Sequence, residues 1–163
     1  MERLGDHFPP EQRLQHVMRS LVPGQVVYLH CQFTKPAKEK YLVIVCADPE
    51  VLFFVINTSV HPYIAKRPDL SRCQVKLPAG DHPFLRRNCV INCAEVIRGS
   101  QQPDMVKQLA SDLRRIRGRL SQAAMADVAQ AVRTARTLSA ADKMMIDRAL
   151  AEAEAGDDET PPG

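Results

Sequence analysis

The stretch VLFFVINTSV, residues 51–60, is the most informative part of the sequence for the fold. Its first six residues are apolar without alternation, which is typical of a strand that is covered on both faces. Three small hydrogen-bonding residues, Asn57, Thr58 and Ser59, follow it directly. Such residues either form an ordinary turn or lie at the rim of a site, and both interpretations are open.

The segments on either side of this stretch are also strand-like. They are short, rich in apolar and β-branched residues, and separated by turn-forming residues. These segments are QVVYLHCQF (25–33), YLVIVCA (41–47), CQVKL (73–77) and FLRRNCVINCAEVI (84–97). Several short strands with turns between them predict a small barrel or a strongly bent sheet.

Helical patterns flank the strands. Residues 9–22 carry apolar side chains at helical spacing, and Pro23-Gly24 then ends that helix. Residues 103–120 and 122–136 show the same spacing after the last strand. The sequence therefore predicts an N-terminal helix, a β domain and a C-terminal helical segment.

Two serines are predicted to start the later helices. Ser121 precedes the helix over 122–136, and Ser139 with Asp142 resembles a capping box before a final helix. The arginines of SDLRRIRGRL, residues 111–120, alternate with leucine and isoleucine. They are interpreted as the exposed side of a helix, with a nucleic-acid-reading surface as the alternative.

The chain divides into three predicted parts. Residues 9–100 form the N-terminal helix and the barrel, and residues 101–154 form helices that pack on the barrel or extend from it. Residues 155–163 are predicted to be a disordered acidic tail, because GDDETPPG is too polar to bury.

The net charge of +3 conceals an asymmetry. The segment 151–163 contains five acidic residues and no Lys or Arg, which leaves +8 for residues 1–150. A basic body indicates an anionic partner such as nucleic acid, and solvated helix faces are the alternative. Aromatic residues are only 5% of the chain, which argues against a surface rich in stacking rings.

The chain is predicted to be cytoplasmic. Its first thirty residues lack the features of a secretory signal, and no apolar run reaches membrane-spanning length. Of the five cysteines, Cys31, Cys46 and Cys89 lie in or beside apolar strand-like stretches and are expected to be buried thiols, and a disulfide framework is not expected. Zinc is not predicted, because there is no CxxC pair, and Cys89 and Cys93 on one strand would be about 13 Å apart.

Cationic side chains lie in the two loops nearest the polar end of VLFFVINTSV. TKPAKEK (34–40) lies between the first two strands, and HPYIAKRPDLSR (61–72) follows the third. If the first three strands are neighbours, these cations surround the rim and hold a phosphate, with solvated lysines as the alternative. The residues predicted to bind substrate are Asn57, Ser59, His61, Arg67 and Lys35. His61 is also a candidate for proton transfer, or else an ordinary loop histidine.

Four segments in this order resemble the PemK/MazF-like family of toxin proteins over residues 23–100. They are PGQVVYLHCQFT, KEKYLVIVC, VLFFVINTS and FLRRNCVINCAEVIRG. The resemblance implies an α+β fold with a small SH3-like β-barrel of about five to seven strands, usually as a homodimer. It also implies a metal-independent endoribonuclease that cuts single-stranded RNA and is held in check by an antitoxin.

The resemblance also implies catalytic positions. In the family an arginine, in an Arg-Pro pair before the second strand, acts with a threonine or serine that closes the third strand. Thr58 falls on the second of these positions. The first reads Glu39-Lys40-Tyr41, so Lys40 or Lys38 is the predicted substitute cation, although lysine lacks the planar fork of arginine.

Two functions follow from this pattern. One is an endoribonuclease with a variant site that needs no cofactor and leaves 2′,3′-cyclic phosphate ends. The other is a non-catalytic barrel that binds RNA or a protein partner, which the missing arginine favours.

Overall fold

One antiparallel sheet with helices on both faces organises the part of the chain, residues 8–158, that the computed structural model describes. Within these residues the strands are β1 (Gln25–Cys31), β2 (Lys38–Cys46), β3 (Leu52–Asn57), β4 (Gln74–Leu77), β5 (Cys89–Arg98) and β6 (Ile116–Arg119). The α-helices are α1 (Pro10–Ser20), α2 (Pro62–Ala65), α3 (Pro68–Ser71), α4 (Met105–Ser111), α5 (Gln122–Thr134) and α6 (Ala140–Asp158). None of these helices is long and apolar enough to cross a membrane.

The sheet has the strand order β4-β5-β3-β2-β1-β6 and is strongly curled. The pairing register shifts between β1 and β6, between β2 and β3, and between β3 and β5, and such irregularities increase local bend and twist. The connection after β4 meets the end of β6, where the Phe84 ring lies against Gly118. The two edges of the sheet are thus brought together as a half-barrel. The predicted α+β class, with five to seven strands and helices at both ends, is confirmed.

Each face of the sheet has its own apolar core. The first core lies between the sheet and helices α5 and α6, and includes Val26, Val43, Phe54, Val128, Val132 and Ile146. The second lies between the sheet and helices α1 and α4, and includes Val17, Leu29, Leu42, Ile44, Phe53 and Leu109. Alternate residues of β2 therefore enter opposite cores, as the pleat of a strand requires. This explains why β2 and β3 are apolar without alternation, and it confirms that both faces are covered.

The arginine-rich stretch is not a helix, so the prediction of a continuous helix over 103–120 was wrong. Helix α4 ends at Ser111, and Asp112 has extended backbone angles (φ −149°, ψ 97°). Its carboxylate accepts a hydrogen bond from the Arg114 N–H at 3.1 Å, in a short 3-10 turn over Leu113–Arg115. Strand β6 then pairs with the edge of β1, which satisfies backbone groups that a helix would leave unpaired.

The start of α6 is fixed by the residues that the sequence indicated. The Ser139 hydroxyl accepts a hydrogen bond from the Asp142 N–H at 3.1 Å. The Asp142 carboxylate accepts two hydrogen bonds of 2.8 Å from the Arg98 guanidinium at the end of β5. The helix continues through Asp158, so the disordered tail predicted over 155–163 is wrong for its first four residues. Residues 159–163 lie outside the described residues.

All five cysteines are buried free thiols, which confirms the burial predicted for Cys31, Cys46 and Cys89. Burial raises the pKa of the Cys31 thiol from 9.0 to about 11, with the Glu39 carboxylate as a smaller contribution in the same direction. Between these two values the unfolded chain loses this proton while the folded chain keeps it. This thiol therefore makes the fold less stable as pH rises from about 9 to 11.

We expect a Cys31→Val variant to lose less unfolding free energy than the wild type when pH is raised from 8 to 10.5. Urea unfolding in the presence of a reductant at both pH values measures the difference, and the comparison cancels the titration of every other group. Equal losses in the two proteins would show that the Cys31 thiol ionises as readily in the fold as in the unfolded chain.

Candidate functional site

The first three strands are neighbours, as the predicted phosphate site required. Strand β2 pairs with β1 on one side and with β3 on the other, with Tyr41 opposite Ile56. This register brings the start of β2 to the end of β3. There the Lys40 ammonium donates a hydrogen bond of 2.9 Å to the Asn57 side-chain oxygen. Two of the predicted site residues are therefore in direct contact.

Lys40 lies on the face of β2 that also carries Leu42 and Ile44, and it is only partly exposed. Burial lowers the pKa of this ammonium, the nearby Lys38 ammonium lowers it further, and Cys31 acts in the opposite direction. Lys38 and Lys40 are two residues apart on one strand, so they share this face. They form a weakly screened pair of cations beside Asn57.

The other predicted residues are placed less favourably for a shared site. Thr58 and Ser59 are exposed in the bend after β3, and Lys35 is exposed in the loop between β1 and β2. The His61 ring uses Nδ1 to accept a hydrogen bond of 3.1 Å from the Tyr63 N–H at the start of α2. Arg67 donates to the Tyr63 hydroxyl at 2.6 Å and pairs with Asp69 at 3.4 Å. His61 and Arg67 thus take part in local contacts of the α2–α3 segment.

The opposite face of β1 and β2 carries a group of aromatic and cationic side chains that we call the tyrosine–arginine patch. Its members are Tyr28, His30, Glu39, Tyr41, Arg115 and Arg117. Tyr28 lies opposite Tyr41 and His30 lies opposite Glu39 in the β1–β2 register, so these four side chains share one face. Arg115 and Arg117 come from the 3-10 turn and strand that follow α4.

The rings and guanidinium groups of the patch are in contact. The centroids of Tyr28 and Tyr41 are 4.7 Å apart with the planes tilted by 44°. The Arg117 guanidinium carbon lies 5.4 Å from the centroid of the Tyr28 ring, which is the range of a cation–π contact. Both tyrosines are half-buried and Arg117 is exposed. The result is a fixed aromatic pair covered by an accessible cation.

A second guanidinium in the patch is held by a carboxylate. Arg115 donates from Nη1 to Glu39 Oε2 at 2.9 Å and from Nη2 to Glu39 Oε1 at 3.3 Å. The hydrogen bond from Arg115 lowers the pKa of Glu39, against burial, and the guanidinium charge and His30 lower it further. The Nδ1 atom of His30 lies 3.8 Å from Glu39 Oε1. The carboxylate is therefore charged and enclosed by nitrogen groups.

The sequence did not predict the patch. Tyr28 and Tyr41 are thirteen residues apart, and only the strand register places them together. The arginines were assigned to a helix face because they alternate with isoleucine and leucine in RRIRGRL. This alternation fits a strand equally well. Gly118 was the available signal, since glycine is unfavourable inside a helix and allows close approach of a ring to a strand. A Cβ atom at this position would lie 2.4 Å from Phe84 Cδ1.

One concave region contains no residue of the patch. A groove of about 460 Å³ between α5 and α6 is lined mainly by small and apolar side chains, with Arg119, Arg133 and Asp147 at its borders. Among residues 8–158 no three His, Cys, Asp or Glu side chains are placed to hold a metal ion together.

Comparison with known proteins adds no relative: no family model matches the chain, and no curated protein matches it. The fold and the site together define an α+β protein with a curled half-barrel sheet. One face of that sheet carries a tyrosine pair bordered by arginines, and the other carries a lysine–asparagine corner.

Proposed function

We propose that this protein binds single-stranded RNA through the tyrosine–arginine patch. The observation that carries the proposal is the cation–π contact of Arg117 with Tyr28, beside the Tyr28–Tyr41 pair. Unpaired bases stack on tyrosine rings and on guanidinium planes, and arginine also pairs with the phosphates between them. A surface that offers both within a few ångströms suits a flexible nucleotide chain.

The charge of the chain supports the same proposal. Residues 1–150 carry a net charge of +8, and Arg86, Arg87 and Arg119 are exposed in segments next to the Phe84–Gly118 contact. Basic groups around a stacking surface attract the phosphate backbone without sequence preference.

Binding is supported better than cleavage. Where the resemblance places an arginine, the chain reads Glu39-Lys40-Tyr41, and the Glu39 carboxylate is paired with Arg115. A carboxylate at that position repels the negative charge that develops on a phosphoryl group during cleavage.

We expect an Arg117→Ala variant to bind a fluorescein-labelled, unstructured RNA of about 20 nucleotides about tenfold more weakly at 50 mM salt. Fluorescence anisotropy in EDTA measures the affinity. The matched control is Arg136→Ala, which removes an exposed arginine from the loop between α5 and α6 and should change binding less than twofold. Equal losses in both variants, or no binding by the wild type, would contradict the proposal.

A second candidate function is a toxin-type, metal-independent endoribonuclease that acts on single-stranded RNA. It is favoured by one observation, the contact of Lys40 with Asn57 immediately before the exposed Thr58 hydroxyl. Lys40 or Lys38 would then be the cation that stabilises the phosphoryl group, and Thr58 would position the reacting oxygens.

The nuclease is tested with a long single-stranded RNA in EDTA. Cleavage that leaves 2′,3′-cyclic phosphate ends in the wild type, and is lost in Thr58→Ala and Lys40→Ala, would establish it. Binding without cleavage would identify an RNA-binding module. An antitoxin partner, a homodimer and a cytoplasmic location follow from the resemblance or the sequence, and they stay predictions.

A further inference from the structure

The Arg115 guanidinium already binds an anionic group within the tyrosine–arginine patch. It faces Glu39 with two nitrogen atoms at 2.9 and 3.3 Å, which is the forked geometry that arginine also uses for phosphate. The anion it holds is part of the same chain, so its charge is largely cancelled in the free protein.

A second contact holds Arg115 in place independently of Glu39. Its Nη1 atom also donates a hydrogen bond of 2.9 Å to the Tyr28 carbonyl oxygen of β1. This oxygen belongs to the backbone of a paired strand and stays where it is if the carboxylate leaves. The guanidinium is therefore already oriented for another anion beside the Tyr28 ring.

The Glu39 side chain is the more exposed partner. The Glu39 side chain is 39% exposed, against 25% for Arg115. Ion pairs with this much solvent contact contribute little net stability, so another anion can replace one partner at small cost.

We infer that Glu39 is an internal substitute for a phosphate, and that RNA binding displaces it from Arg115. The inference rests on the proposed function, because it names the phosphate-binding residue of that surface and the group that limits its affinity. A phosphodiester next to a base stacked at Tyr28 or Tyr41 takes over the two nitrogen atoms of Arg115. The affinity of the wild type for RNA then depends on how well the RNA phosphate competes with the Glu39 carboxylate for Arg115.

The test is a double-mutant cycle with Glu39→Gln and Arg115→Gln, measured by anisotropy with the same labelled RNA. Glutamine keeps the size of glutamate without its charge, so it releases Arg115 for a phosphate. One additional phosphate contact should tighten binding about 5- to 10-fold at 50 mM salt, and steepen the plot of log affinity against log salt by about 0.7. In the Arg115→Gln background the Glu39→Gln change should have less than a twofold effect.

The matched control is Glu95→Gln, which removes one negative charge from an exposed position on β5. Since β5 is not a neighbour of β1 or β2 in the sheet, only the general charge effect remains, and a change below twofold is expected. Thermal unfolding of each variant confirms that the fold is intact before binding is compared.

The outcomes separate this inference from the proposed function. Tightening that depends on Arg115, in a wild type that itself binds the RNA, supports the inference, whereas binding by Glu39→Gln alone overturns the proposed function and the inference with it. Wild-type binding that is sensitive to Arg117, with no gain from Glu39→Gln or an equal gain in both backgrounds, overturns the inference and leaves RNA binding standing. No binding by the wild type or by Glu39→Gln overturns both.

Discussion

An Arg98→Ala variant should unfold at a clearly lower denaturant concentration than the wild type, because it removes the cation that joins α6 to the sheet. Arg98 donates two hydrogen bonds of 2.8 Å to Asp142 and also pairs with Glu50. The Asp142 side chain is only 10% exposed, so its charge would remain in a poorly solvated position. Chemical denaturation monitored by circular dichroism measures the shift.

Two comparisons isolate the cause of this effect. Arg148→Ala removes an arginine from an exposed ion pair on α6, whose partners are 82% and 70% exposed, and should cost less than about 0.5 kcal/mol. In an Asp142→Asn background the buried charge is absent, so Arg98→Ala should cost clearly less than in the wild type. Equal costs in the two backgrounds would mean that Arg98 stabilises the fold through its stem and Glu50 alone.

The fold was predictable where local pattern and long-range packing agree. Strands β1, β2 and β3 could be predicted from continuous apolar runs. A strand that is buried on both faces carries apolar residues at successive positions, so the sequence shows a run and not an alternation. The caps at Ser121 and Ser139 were also predictable, since each hydroxyl accepts from an N–H three residues further along. Strand β6 was not, because four residues that include a glycine carry too little local signal. Its conformation is decided by the free edge of β1.

The candidate site was predictable only within one strand pair. The lysines at the start of β2 and the asparagine at the end of β3 were expected to meet once the strands were neighbours, and Lys40 and Asn57 do so. The sequence also suggested that Lys40 replaces the arginine of the PemK/MazF-like family. However, strand alternation places Lys40 on the face opposite Glu39, and Arg115, from the 3-10 turn more than seventy residues away, provides the guanidinium there. Contacts of that range depend on how the sheet curls.

One buried histidine lies on the connection that brings the two edges of the sheet together, and its removal should have the second large effect. His82 is fully buried on the connection between β4 and β5. Its Nδ1 atom lies 2.7 Å from the Pro78 carbonyl oxygen, and its Nε2 atom accepts a hydrogen bond of 3.1 Å from the Ser121 N–H. A carbonyl only accepts, so these partners fix the neutral ring with its proton on Nδ1. The ring thus joins one edge of the sheet to the start of α5.

We expect His82→Ala to lower the unfolding free energy by about 3 kcal/mol or more. It leaves a cavity beside Phe84 and a buried Ser121 N–H without its acceptor. His82→Leu fills the cavity but cannot accept the hydrogen bond from the Ser121 N–H. It should therefore lower the unfolding free energy by a smaller amount, about 1–3 kcal/mol. His61→Ala is the matched control, because that exposed ring only caps the short helix α2 and should cost about 1 kcal/mol or less.

The same variants test whether the edge contact shapes the RNA-binding surface. We expect that, without the His82–Ser121 hydrogen bond, the end of β6 and the Arg117 guanidinium over Tyr28 are held less firmly. His82→Leu should therefore weaken RNA binding under conditions in which the protein is still folded, whereas His61→Ala should not. A folded His82→Leu protein with wild-type affinity would show that β1 alone holds the patch in place, and that closure of the half-barrel is a requirement of stability only.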